Sequence, residues 1–309
     1  MANDLVIRGG TVVDGTGVAG TRADVGIAAG RVTEIGPKVD GDRVLDAGDC
    51  VVAPGFIDIH THYDAQVFWD PALTPSCYHG VTTVVAGNCG FSIAPTHPEH
   101  RELVARTLEN VEDMDVAALD AGIPWDFASF PEYLASVERR GVGLNYAAYI
   151  GHTPMRLWAM GEAAYERTAT ADEVAVMQQV LREAMDAGAA GFATSFAMPH
   201  LGIDGKPVPS RFADRAEFEG MLDVMHEIGR GVVAIAPGEP CLPAAMFEYQ
   251  ARAGVPFTWG ALLTTPAGTH HKCSSRTARG GRTAPRCGRR SRRVPSPSST
   301  RSTRPTPST

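Results

Sequence analysis

From residue 51 onward, short apolar runs alternate with amphipathic helical segments, and this alternation limits the possible folds more than any other feature of the chain. The runs at 51–62, 80–87 (GVTTVVAG), 143–151 (GLNYAAYIG), 189–196 (AAGFATSF), 230–236 (RGVVAIA) and 255–264 (VPFTWGALLT) read as strands. The first follows VVAPG, is nearly continuous in apolar residues, and so reads as buried on both faces, as parallel strands are. Helices with legible ends lie between the runs. Thr170 with Glu173 spells a capping box before a stripe of Val174, Met177, Leu181 and Ala184, closed by Gly188. Asp214 with Glu217 opens a second such box over Phe218, Met221, Leu222, Met225 and Ile228. Alternating β and α units pair their strands in parallel. The expected fold is therefore α/β, an incomplete (β/α)8 TIM-like barrel of about six strands, with an open doubly wound sheet as the alternative.

Before residue 51 the pattern differs. LVIRGGTVVDG, ADVGIAAGRVTEIG and RVLDAGDC are short strands punctuated by Gly and Asp, which suits a small N-terminal β-domain. After Lys272 it changes again. The 309 residues carry a net charge of −7, but the segment from Lys272 to Thr309 holds one Lys, ten Arg and no acidic residue, leaving 17 basic against 35 acidic residues elsewhere. Val294 is its one large aliphatic residue, and it has no aromatic. Such a segment buries too little apolar surface to offset the entropy of ordering. The expected organisation is 1–50, the N-terminal part of a β-domain; 51–272, a partial barrel; and 273–309, a disordered Arg/Ser/Pro/Thr-rich tail. The abrupt change of composition is that of a GC-rich gene read out of frame. The chain is accordingly expected to be truncated, its frame lost near Lys272, and inactive as written.

A content of 44% hydrophobic residues is enough for a sizeable core. The opening MANDLVIRGG lacks the order of a signal peptide, and no apolar run approaches a membrane span, so a cytoplasmic protein is expected. Six cysteines without C-x-x-C spacing argue against a disulfide scaffold.

Within the first strand, GFIDIHTHYD puts Asp58, His60 and His62 on alternate positions and therefore on one face. A bare His-x-His is more often an exposed strand face. Buried imidazoles two residues apart, however, need partners, and one metal ion satisfies both. Asn88 and Cys89 (GNCG) end the second run and His152 (YIGHTPMR) the third, where the chemistry of a barrel is found. A lone cysteine there is as readily a small buried hydrophobe; a rim shared with His-x-His favours a ligand. His226 reads as solvated, and His97, His100 and His200 sit in polar loops with no role assigned. His270 and His271 in GTHHK follow the sixth run and could approach the same rim.

With these motifs, the chain resembles the amidohydrolase superfamily, in the branch of D-aminoacylase and the N-acyl-D-amino-acid deacylases. APGFIDIHTHYD, GNCGFSIAP, YIGHTPMRLWAMG, WDFASFPEYLASV and AMDAGAAGFATSF carry the resemblance, which spans residues 4 to 272. It implies Zn2+ held by His60, His62 and Cys89, with His270 or His271 as the sixth-strand ligand. It also implies His152, Arg156 and Lys272 as substrate-binding residues, and a small-molecule N-acyl amino acid or related amide as the partner. Membrane and nucleic-acid partners are not expected. The chain departs from the pattern in three places. VVAIAPGEP replaces the fifth-strand metal histidine, leaving Glu239 as a substitute oxygen donor; Met198 stands where an aromatic is expected; and the strand-eight aspartate that moves the proton has no counterpart. The competing readings are a cyclic-amide hydrolase of the hydantoinase or dihydroorotase kind, which the cysteine loop disfavours, and a non-catalytic binder acting through its basic tail.

Overall fold

A computed structural model describes residues 2–239, 241–242 and 245–260, together with the backbone of 287–289. The chain divides between Phe56 and Ile57 into two compact units. The first is a sheet of β1 (Asn3–Val12), β2 (Thr21–Ala28), β3 (Arg31–Gly36), β4 (Gly41–Asp46) and β5 (Val51–Val52). Its order is β3-β2-β1-β4, and β5 also pairs with β1. The register of β1 on β2 shifts between Ile7 and Gly10. Buried Asp24 accepts the Gly9 amide at 2.8 Å and the Val39 amide at 3.2 Å, which holds its carboxyl below the ordinary range. Val51–Val52, read in the sequence as the start of the first barrel strand, belongs to this sheet instead.

The second unit contains β6 (Phe56–Asp58), β7 (Val81–Ala86), β8 (Asn145–Gly151), β9 (Gly191–Ser195), β10 (Val232–Ala236), β11 (Phe257–Trp259) and β12 (Cys287–Arg289). These seven strands form one sheet in the order of the sequence, and the pairs from β7–β8 to β11–β12 are parallel. Every strand lies beside its sequence neighbour. A doubly wound sheet reverses its strand order at a switch point; this sheet has no reversal and is wound in one sense, as an incomplete TIM barrel is. Strand β12 falls within the stretch expected to be a disordered tail, the rest of which, from 273, lies outside the described residues.

Among the described residues eight α-helices accompany the strands: α1 (Thr74–Cys77), α2 (Arg101–Glu112), α3 (Val116–Gly122), α4 (Phe130–Arg140), α5 (His152–Met160), α6 (Ala171–Asp186), α7 (Arg215–Ile228) and α8 (Met246–Ala253). The expected capping box on α6 is complete: Thr170 Oγ1 accepts the Glu173 amide at 3.3 Å, and Glu173 Oε2 accepts the Thr170 amide at 2.7 Å. The stripe behind it is buried at Met177, Leu181, Ala184 and Met185, in one core with Met221, Leu222 and Met225 of α7 and Phe192, Val233 and Ile235 of the sheet. Burying a side chain of that size contributes about 1.5–3 kcal/mol. At α7 only half of the expected box forms. Asp214 accepts the Glu217 amide at 2.8 Å, while the Glu217 side chain turns inward. No helix among the described residues is long and apolar enough to cross a membrane.

Candidate metal centre

The first barrel strand ends earlier than the alternation in GFIDIHTHYD suggests. β6 stops at Asp58, and His60 and His62 follow it in irregular backbone. Nor is the strand buried on both faces, since Phe56 is 64% and Ile57 47% exposed. The two histidines nevertheless face the same way because of the residue between them. Thr61 points to the other side, where its amide and hydroxyl both donate to Val85 O of β7, at 3.1 and 3.0 Å. Asp58 takes no part in the convergence. It accepts the His60 amide at 3.2 Å and the Ser76 hydroxyl at 3.4 Å, and burial raises its carboxyl above the ordinary range.

The third donor comes from the turn after β7. Buried Asn88 donates through Nδ2 to Val85 O at 2.7 Å and Thr61 O at 3.3 Å, tying this turn to the histidine segment. Gly87 and Gly90 flank Cys89 with φ of 74° and 78°; a Cβ on Gly87 would lie 2.1 Å from Tyr149 O, so backbone approaches backbone here. Cys89 itself takes φ 56°. For a non-glycine residue that conformation is strained, costs about 1–3 kcal/mol, and gathers at functional sites. It turns the Sγ inward, 3.5 Å from His60 Nε2.

His60, His62 and Cys89 thus bring their donor atoms to within 4.8 Å of one another. The two Nε2 atoms are 3.1 Å apart. Two imidazole nitrogens on one tetrahedral zinc ion sit about 3.3–3.4 Å apart, given bonds of about 2.0–2.1 Å, so this spacing is close to that of a ligand set. The charge states agree. Burial, helped by the nearby His200 ring, pulls His62 down to about 4, which leaves its imidazole neutral and able to donate a lone pair. Burial and the Glu112 carboxylate push the Cys89 thiol up to about 12 in the metal-free protein; coordination to a cation reverses that preference. Polar atoms in excess of partners surround the trio, with His62 Nδ1, Asp64 Oδ1 and Asn88 Oδ1 buried and unpaired. A soft thiolate with two imidazoles is a donor set that fits zinc.

Two neighbours of the trio are given no role in the sequence reading. Glu112, the last residue of α2, places Oε1 3.2 Å from His62 Nε2, and burial together with the Asp64 charge raises its carboxyl to about 7. His200, read as a polar-loop residue, is half-buried, bonded through Nδ1 to Ser195 Oγ at 2.6 Å and edge-on to Phe91. Its place just beyond the end of β9 was the available clue.

His152 and Arg156 are buried in the structure. Both have zero exposure. His152 opens α5, bonding through Nδ1 to Thr194 Oγ1 at 2.9 Å and through Nε2 to Glu217 Oε1 at 2.8 Å. Arg156, one turn later, donates to Glu217 Oε2 and to Arg167 O. Apart from the unpartnered Arg156 Nε, their polar atoms are committed to this network, which explains why the Glu217 side chain leaves its helix cap. Glu239 is exposed and stands apart from the convergent trio. His270, His271 and Lys272 lie outside the described residues.

Comparison with known proteins places this geometry. Residues 43–286 match the amidohydrolase family. The chain belongs to that family. As an amidohydrolase it falls in the D-aminoacylase branch. It is 37% identical over 223 residues to an N-acyl-D-glutamate deacylase of Alcaligenes xylosoxydans xylosoxydans, covering 72% of this chain and 41% of the relative. It is also 37% identical over 198 residues to a D-aminoacylase of the same organism, covering 63% of this chain and 38% of the relative. The crystal structure of N-acyl-D-glutamate deacylase from Bordetella bronchiseptica, complexed with zinc and a phosphonate mimic of the tetrahedral intermediate, superposes with a TM-score of 0.75 at 29% identity. That superposition covers 94% of this amidohydrolase and 58% of the other. The chain therefore spans about two fifths of the length of the curated relatives it matches.

Proposed function

We propose that this chain carries the metal-holding part of a zinc-dependent site that hydrolyses the amide bond of N-acyl-D-amino acids. The observation that carries this reading is the convergence of His60, His62 and Cys89 behind a strained turn; the similarity to deacylases of D-amino acid derivatives supports the substrate class. A zinc ion held by these three residues supplies Lewis acidity toward the amide carbonyl. The protein's own residues do the rest. Thr61 and Asn88 lock the two donor segments together through Val85, and burial keeps His62 neutral and fixes the Cys89 sulfur near His60.

General acid-base assistance from a positioned carboxylate adds roughly a hundred- to ten-thousand-fold to such a reaction. The test is an assay of the zinc-loaded chain on matched N-acetyl-D- and N-acetyl-L-amino acids and on a hydantoin. Slow release of the D-amino acid that disappears in the His60→Ala/His62→Ala variant is expected. Preferential opening of the hydantoin ring would overturn the substrate assignment.

A further inference from the structure

Resting on the metal reading of the trio, we infer that Glu112 is a fourth protein ligand, a carboxylate that α2 delivers to the same ion. The argument turns on which nitrogen of His62 it meets. A carboxylate that merely orients a ligating histidine bonds to the ring nitrogen pointing away from the metal. In His62 that is Nδ1, which has no hydrogen-bond partner. Glu112 Oε1 instead approaches Nε2, at 3.2 Å, the atom that lies 3.1 Å from His60 Nε2. It therefore stands on the metal-facing side of His62, outside the 4.8 Å circle that the three donors share, so that a rotation of its side chain would bring it to the same ion.

The surroundings of Glu112 point the same way. It ends α2, and Asp113 follows at φ 55° as the left-handed cap, so the carboxylate lies where the helix dipole is already negative. Among the described residues no Lys or Arg is paired with it, and His62 is its one ion-pair neighbour. A half-buried carboxylate at a helix C-terminus, beside His62 and its thiol-bearing neighbour, gathers negative charge that a divalent cation neutralises. Two imidazoles, a thiolate and a carboxylate together make a four-donor set.

Cobalt(II) and zinc titrations of the full chain under reducing conditions test this, comparing wild type with the near-isosteric Glu112→Gln and the shorter Glu112→Asp, each checked for folding by circular dichroism. Wild type should show one saturable cobalt site with a thiolate charge-transfer band from Cys89. Glu112→Gln should keep that band but change the visible d–d spectrum and weaken zinc, measured by chelator competition, by at least about tenfold; Glu112→Asp should recover part of the loss. A Glu112→Gln protein with wild-type affinity and spectrum, while His62→Ala loses both, sinks the assignment of Glu112 and leaves the trio standing. Wild type without a saturable site or thiolate band overturns the trio and this inference together.

Discussion

Among the described residues of the second unit lie two histidine–carboxylate pairs, and they differ in almost everything but their chemistry. His152 meets Glu217 at 2.8 Å with zero exposure, and each partner is otherwise engaged: the second ring nitrogen by Thr194, the second carboxylate oxygen by Arg156. Although burial alone would raise the Glu217 carboxyl, its bonds to His152 and Arg156 prevail and hold it below the ordinary range. His62 meets Glu112 at 3.2 Å, but there Nδ1 has no partner, Nε2 is shared with His60, and the carboxyl is raised. The first pair is matched in charge, and every polar atom of the two side chains has a partner, although Arg156 Nε beside it has none. The second leaves a polar atom unpaired, and the cation proposed above would balance its raised carboxyl. Satisfaction of the neighbours, more than the pair itself, separates a structural ion network from a binding site.

The contrast can be broken most sharply at Glu217. Glu217→Ala leaves Arg156 buried without its counter-charge, and about 3–5 kcal/mol of stability should be lost. Glu112→Ala in metal-free protein should lose far less. Urea unfolding of both variants decides the matter, and comparable losses would erase the distinction. Metal comes next in size. Zinc at a hundred times its dissociation constant should raise the unfolding free energy by about 2.7 kcal/mol, an effect removed by chelator and absent from the His60→Ala/His62→Ala protein. A thermal-melt series with and without chelator would expose a shift that survives in the double variant.

A third carboxylate separates burial from pairing. Glu173 meets Arg167 at the surface, at 2.7 Å, and also caps α6 with Thr170. Thr170→Ala should cost about 1 kcal/mol and leave zinc affinity unchanged, as chelator competition would show. The smallest effect is the ion pair's own, about 0.2–1 kcal/mol for an exposed pair. The Arg167 guanidinium and the Thr170 amide bring the Glu173 carboxyl down to about 2 from an ordinary 4.5. Its contribution is thus complete above about 4.5 and fades as the pH falls through about 2. Wild type and Glu173→Gln should differ in stability near neutral pH and converge at the acid end; a gap that persists there would contradict the assignment.

The sequence revealed the parts of this molecule whose signals are local. Six apolar runs marked six strands because each is short, bounded and separated by helices with readable caps. His60, His62 and Cys89 were legible because one element, or the end of the next, supplies each. Glu112 was not, since it reaches His62 from 50 positions away, and the run around it, NVEDMD, reads as a solvated acidic helix end. Glu217 was misread for a related reason. Its spacing from Asp214 spells a capping box, and nothing nearby announces that Arg156 and His152, one helical turn apart on another helix, draw its carboxylate into the core. The rule that chemistry sits beyond strand ends singled out Cys89, whose sulfur does lie beside the two histidines, was not applied to His200, and for His152 led to a buried residue bonded to Thr194 and Glu217.

The strand order of the second sheet also bears on how the chain is assembled during synthesis. Because each strand lies beside the one before it in sequence, a strand leaving the ribosome finds its neighbour already laid down, and the loop it must close is a single strand-helix unit. Loop-closure entropy grows only slowly with length, but a partner not yet translated cannot pair at all. This order lets the β6–β7 end of the sheet, with the His-x-His segment and the cysteine turn, take shape while later strands are still being made.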